Sequence, residues 1–257
     1  MIDSPTIFTG GDSKYWKKYG KVFVRSFNHY NPDKTIHVHI INPDDNDIED
    51  LKLLPCNYTT DFIDEIYIND LCLESIKYLE NPHIDELHKQ KLKHGLSFCN
   101  EETLVEKMKH LMTFSVYACN RFITLSKLWT GNHPVAAYDM DTICKGTIDI
   151  NKMLGTNDCG CLSVKGNRFV VSLVAFRNKN TLLTDWGNSL TNSFTSKKVY
   201  GFLDQDTFVE KSKLYNTTHI DKIFCDHTKK SDSALVMTGK GAAKISDRFY
   251  IESKKWL

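Results

Sequence analysis

Apolar and polar positions along the chain fall into short blocks, some with period two and some near period 3.6. In PTIFTGGD, Thr6–Thr9 reads as a strand that ends in a Gly-Gly turn. Tyr19, Val22, Phe23, Ser26 and Phe27 recur near helical spacing and predict a helix over Lys14–Tyr30. TIHVHIINP alternates Ile36, Val38 and Ile40 and is stopped by Pro43, which predicts a strand. EIYIND, Glu65–Asp70, reads as a second short strand. Asn100 with Glu101 and Glu102 behind it predicts the cap of a helix that runs to about Trp129. PVAAYDMD is a short apolar strand that ends in acids, of the kind buried on both faces. A strand over Phe169–Phe176 and a helix near Thr181–Phe194 follow, with shorter elements and loops from Lys198. The polar stretch Glu74–Cys99, with His83, His88 and His94, predicts a helical surface insertion with solvated histidines. Strands alternating with helices predict an α/β sandwich with a mostly parallel sheet in its first half.

Length and composition narrow the class. The 257 residues suit one domain or two small ones. With 33 basic and 32 acidic residues the net charge is +1, so no global field grips nucleic acid or an anionic membrane. No apolar run approaches the roughly 18 residues of a membrane helix. Met1–Gly11 lacks the basic and apolar regions of a secretory signal, which predicts a cytoplasmic chain whose eight cysteines are reduced thiols. Cys159 and Cys161 form a C-x-C, but a zinc site needs a second close pair and the sequence has none.

The chemistry concentrates in VAAYDMDTICKGTIDI. Asp139 and Asp141 stand at the end of an apolar strand, where α/β folds place ligands. Two neighbouring buried carboxylates are costly unless a cation neutralises them. Oxygen ligands suit a hard divalent ion, Mn²⁺ or Mg²⁺, which usually shares its shell with phosphate oxygens. The alternative is a solvated loop after an ordinary strand.

AAYDMDTICKGTIDI resembles the D-x-D segment of glycosyltransferases with the GT-A fold. Other segments agree in order. FTGGDSKYWKKYGKVFVRSF resembles the first strand, loop and helix of that family, YACNRFITL the helix before the D-x-D strand, YGFLDQDTF its acceptor-side Asp-Gln segment, and VMTGKGAAK its late Gly-Lys loop. The overall likeness is to bacterial and viral enzymes distantly like the glycogenin group. The resemblance implies one GT-A-like domain over residues 1–257, with a Rossmann-like, mostly parallel sheet flanked by helices. Residues 1–145 form the nucleotide-sugar half, and 146–257 the smaller acceptor half with the diphosphate loop.

The resemblance also implies roles. Thr9, Gly10, Gly11 and Asp12 lie against the nucleotide, with Asp12 accepting from the base and Tyr15 stacking on it. Arg121 reaches a phosphate or locks the site's acids. Asp139, Met140 and Asp141 hold donor, with Asp139 and Asp141 on Mn²⁺ or Mg²⁺. Gly239, Lys240 and Gly241 wrap the diphosphate, with Lys240 countering charge on the leaving group and Lys244 and Arg248 adding to it. Asp204 and Gln205 position the acceptor hydroxyl or the back face of the sugar, and Asp206 is the alternative to Asp204. The donor is a nucleotide sugar, UDP-linked, and the acceptor a glycan, a protein or a lipid-linked sugar. One departure stands out: glycogenin-like relatives carry a metal-binding His before the late Gly, where this chain has Val236, with His227 out of register. Two alternatives remain: a non-catalytic sugar-nucleotide or glycan-binding protein, and a haloacid-dehalogenase-type phosphatase. The phosphatase motif opens its fold near the N-terminus, whereas Asp139 stands mid-chain.

Overall fold

The computed structural model describes residues 1, 4, 6–81, 85–164, 168–177, 181–226, 233–239 and 247–257. In chain order the first half runs β1 (Thr6–Asp12), α1 (Ser13–Tyr15), a π-helical turn Trp16–Gly20, α2 (Lys21–Tyr30), β2 (Thr35–Ile41), α3 (Asp45–Lys52), β3 (Asn57–Asp61), α4 (Glu65–Glu80), α5 (Glu86–Leu96), α6 (Leu104–Leu128), β4 (Val135–Tyr138) and β5 (Thr142–Cys144). The second half runs α7 (Ile150–Leu154), β6 (Cys159–Val164), β7 (Arg168–Phe176), α8 (Leu182–Thr195), α9 (Leu203–Ser212), β8 (Thr217–Ile220), a 3₁₀ turn Lys222–Phe224, β9 (Val236–Thr238) and α10 (Asp247–Lys254).

Seven strands form one sheet in the order β3-β2-β1-β4-β7-β6-β8, and β5 and β9 pair separately. Only β7 runs against the other six. Successive strand residues point to opposite faces, and both faces are covered. Phe8, Val135, Ala137, Val174 and Phe176 face a core shared with α4, α5, α6, α8 and α9. Ile7, Ala136, Tyr138, Leu173 and Ala175 face the core built by α2, α7, β5 and β9. No helix among the described residues is long and apolar enough to cross a membrane.

Three expectations are corrected. Glu65–Asp70 is the start of α4 and not a strand. Asp64 caps it by accepting from the Ile66 amide at 2.8 Å, and Ile68, Leu71, Cys72 and Ser75 are buried at helical spacing. The third strand is instead NYTTD, which has no apolar alternation because it is a half-buried edge held by backbone bonds to β2. The long helix starts after Thr103, not Asn100, since Thr103 and Glu106 form a reciprocal capping box. The Glu74–Cys99 stretch is helical but partly internal: His88 is buried between Tyr78 and Tyr200. His94 is exposed, and His83 lies outside the described residues.

The polar residues of β2 make a pH-dependent element of the fold. Thr59 Oγ1 sits 3.1 Å from both His37 Nε2 and His39 Nδ1. Burial is the main cause that lowers the pKa of His37 to about 4, helped by His39. The unfolded chain therefore takes up this proton near pH 6.5, while the folded chain resists it until about pH 4. The stabilisation is fully present above pH 6.5 and is lost as the pH falls to about 4, by about 3 kcal/mol in all. Urea unfolding at stepped pH should show this slope, and His37→Gln should flatten it. An equal slope in both proteins would assign the acid sensitivity elsewhere.

Candidate active site

The chain winds from β1 to β2 and β3 on one side, then returns to β4 on the other side of β1. The carboxyl ends of β1 and β4 therefore border a topological switch point, where parallel sheets open a crevice for ligands. Thr9 Oγ1 ties the two ends together by donating to the Tyr138 carbonyl at 2.9 Å.

The glycines after Thr9 do not turn. Strand β1 continues through them to Asp12, in parallel register with β2 as far as Ile41. A Cβ on Gly10 would lie 2.7 Å from the Cβ of Arg121, so this glycine lets α6 approach the sheet. Gly11 faces the other way: a Cβ there would sit 3.3 Å from Tyr15 Cβ and 3.4 Å from Met140 Cε. Asp12 caps α1, accepting from the Tyr15 amide at 2.8 Å. The Tyr15 ring is partly exposed and lies tilted on Tyr19.

The close approach of α6 delivers Arg121 to the acids. Its Nη1 donates to Asp139 Oδ1 at 2.5 Å, its Nη2 lies 3.8 Å from Asp204 Oδ2, and the same Nη2 is 3.4 Å from the Val171 carbonyl. Arg121, Asp139 and Asp204 are 8%, 8% and 6% exposed, so the three charges are held together out of water. Burial opposes the guanidinium charge, but Asp139 and Asp204 outweigh it and raise the Arg121 pKa above its ordinary value. Part of the cation that the acidic strand end requires is thus supplied by the chain itself.

Asp141 is only 2% exposed. Its carbonyl accepts from the Gly239 amide at 2.7 Å, because β9 pairs with β5 and carries the late glycine back to the acids. A Cβ on Gly239 would strike the Phe249 ring at 2.9 Å and approach the Asp141 carbonyl to 3.2 Å. Met140 is buried between the two acids in sequence. Lys240, Gly241 and Lys244 lie outside the described residues, as do His227 and the side chain of Arg248. Val236 is core, opposite Cys144 in the β5–β9 ladder.

Asp204 and Gln205 occupy the first turn of α9. Asp204 Oδ1 accepts from the Gln205 amide at 2.9 Å, and its carbonyl accepts from Trp186 Nε1 at 3.1 Å. Asp206 faces elsewhere, with Oδ2 3.2 Å from Lys91 Nζ, so the first of the two aspartates is the one beside Arg121. Asn42 and Tyr117 were not legible as neighbours of the site. Asn42 follows β2 with φ of 52° and donates to Tyr117 Oη at 3.3 Å; burial raises the tyrosine pKa, and Asp12 adds to this.

The carboxylates of Asp139 and Asp141 could supply hard oxygen donors of the kind Mg²⁺ or Mn²⁺ takes. Among the described residues no three His, Cys, Asp or Glu side chains gather as a ready-made metal cage. Cys159 and Cys161 are buried in β6. One open cavity of about 360 Å³ is lined by Phe62, Tyr67, Asn120 and Phe194 and by none of Asp139, Asp141 and Asp204.

Comparison with protein-family models and with curated proteins gives no match. Solved structures do match. The chain is similar to the galactosyltransferase LgtC in complex with donor and acceptor sugar analogues, with a TM-score of 0.53 and 11% identity over 98% of this chain and 96% of that one. It is similar to mouse xyloside xylosyltransferase 1 in its apo form, with a TM-score of 0.50 and 10% identity over 95% of this chain and 100% of that one. It is also similar to apo GlyE of Streptococcus pneumoniae TIGR4, with a TM-score of 0.53 and 11% identity over 99% of this chain and 63% of that one. The fold is the GT-A fold. In this chain Asp139 and Asp141 follow β4 at the switch point, beside the end of β1, and Arg121 links Asp139 to Asp204 in the first turn of α9.

Proposed function

We propose that this chain is a glycosyltransferase that moves a sugar from a nucleoside-diphosphate sugar, UDP-linked, to an acceptor hydroxyl on a glycan, a protein or a lipid-linked sugar. The observation that carries the reading is the buried Asp139–Arg121–Asp204 cluster at the switch point, which joins the donor-side acids to the acceptor-side helix. The fold it shares with sugar transferases supports the same reading.

Asp139 and Asp141 hold Mn²⁺ or Mg²⁺ in this reading. When bound, such an ion supplies Lewis-acid stabilisation of the diphosphate that departs. Arg121 holds Asp139 and Asp204 at a fixed separation and contributes positive charge where the leaving group gains negative charge. The strand end Thr9–Asp12 lies along the nucleotide, with Tyr15 at its margin. Gly239 sets the backbone path from Asp141 into the segment that carries Lys240 and Gly241, and Lys240 counters charge on the same leaving group. Asp204 and Gln205 orient the acceptor hydroxyl against the sugar. LgtC has also been solved as an active-site mutant with glutamine replaced by glutamate, which agrees in residue type with a role for Gln205.

A second reading, a non-catalytic nucleotide-sugar-binding protein, is favoured by one observation: Val236 is packed into the core where a third metal ligand was expected. Release of nucleoside diphosphate from a panel of UDP-, GDP- and ADP-sugars with Mn²⁺ separates the two. We expect UDP release from a UDP-sugar. Binding of a UDP-sugar without release, with every acceptor class supplied, would favour the second reading.

A further inference from the structure

Resting on the glycosyltransferase reading, we infer that α5 is a clamp on the turn that carries Asp204 and Gln205, and that Lys91 is its positioning residue. The turn is residues 200–202, and its last residue is in an unusual state. Phe202 adopts φ 65° and ψ 20°, the left-handed region, at the position that caps α9. A bulky aromatic residue is strained there and persists only where the surroundings impose it. The next residues are Leu203, Asp204 and Gln205.

The surroundings that impose it come from α5, from Phe98 just after it and from α6. His88, Leu92 and Gly95 are its buried stripe. A Cβ on Gly95 would lie 3.2 Å from the Gly201 amide nitrogen, and a Cβ on Gly201 would lie 3.1 Å from Gly95 Cα. Two glycines therefore permit direct backbone contact between helix and turn. The Phe202 ring is edge-on to Phe98 at 5.4 Å, and the Tyr200 ring is edge-on to His88 at 5.8 Å. From the far side, Ser115 of α6 donates to the Tyr200 carbonyl at 3.0 Å.

Lys91 closes the arrangement. Its Nζ is 2.8 Å from Tyr200 Oη and 3.2 Å from Asp206 Oδ2, so one ammonium spans both ends of the strained residue. Asp85 and Lys198 add an ion pair at 3.6 Å between the start of α5 and the approach to the turn. Held at Tyr200 and Asp206, the chain between them fixes the direction in which Asp204 meets Arg121.

Hydrogen–deuterium exchange over residues 199–206 and steady-state release of UDP from a UDP-sugar test this together, in Lys91→Met, Asp206→Asn and Lys91→Arg. Lys91→Met and Asp206→Asn should each raise exchange in that segment and lower kcat about 10- to 100-fold with KM for the nucleotide sugar unchanged. Lys91→Arg, which keeps a cation within reach of Tyr200 and Asp206, should restore most of both. Unchanged exchange in Lys91→Met and Asp206→Asn would overturn the clamp. Raised exchange with unchanged kcat would overturn its positioning role. If the wild-type chain releases no nucleotide from any sugar donor, the glycosyltransferase reading fails, and the exchange data alone still decide whether α5 holds the turn.

Discussion

Replacing Arg121 by methionine is expected to cost about 3–5 kcal/mol of folding stability, the scale for removing one partner of a buried ion cluster. Methionine fills much of the same volume, so the loss is electrostatic. Asp139 and Asp204 remain buried at 8% and 6% exposure without the guanidinium that faces them both. For a chain of this size each kcal/mol lowers Tm by about 2–4 °C, so a fall of about 6–20 °C is expected. Adding Asp139→Asn to Arg121→Met should recover part of the loss, because it removes one of the two buried carboxylate charges that the guanidinium faces. Urea unfolding of the single and double variants measures both effects. A loss under about 1 kcal/mol in Arg121→Met would mean that water reaches these carboxylates, and the site as described would be wrong.

The second large effect is on rate. Asp141→Asn should lower sugar transfer about 100- to 1,000-fold, equivalent to about 3–4 kcal/mol at the transition state. The change keeps shape and removes charge. The backbone carbonyl of Asp141 accepts from the Gly239 amide, a contact that the substitution leaves in place. Unfolding should therefore be near wild type while turnover falls. A near-wild-type rate would make Asp141 a plain strand-end residue.

The sequence was most legible where burial imposes a pattern. The strands β1, β2, β4 and β7 are buried on both faces, and their apolar runs show it. NYTTD gave no such signal, since an edge strand is held by backbone bonds to one neighbour. EIYIND misled because Ile66 and Ile68 alternate, although the turns beyond them, through Leu71 and Cys72, carry the helical period. β6 carries little strand signal, because its Cys159-Gly160-Cys161 start has no β-branched residues, although both cysteines are small apolar core residues.

In the site, Asp139, Asp141 and Arg121 were legible one by one. Their union with Asp204 was not, because it depends on α6 lying close enough to β1 for Arg121 to reach both carboxylates. Gly10 shows the same limit. Nothing in the sequence signals that it also makes room for α6. The choice between Asp204 and Asp206 depended on the direction of α9's first turn, which the Phe202 backbone and Lys91 set from outside that segment.

The central claim is that the end of β4 is a metal-assisted diphosphate site. Calorimetric titration of UDP into the wild-type chain, once with Mn²⁺ and once with a chelator, tests it most directly. Because Arg121 already engages Asp139, Mn²⁺ alone should bind weakly, UDP alone weakly, and the two together much more tightly, with the gain abolished in Asp141→Asn. Equal UDP affinity with Mn²⁺ and with chelator would contradict the claim.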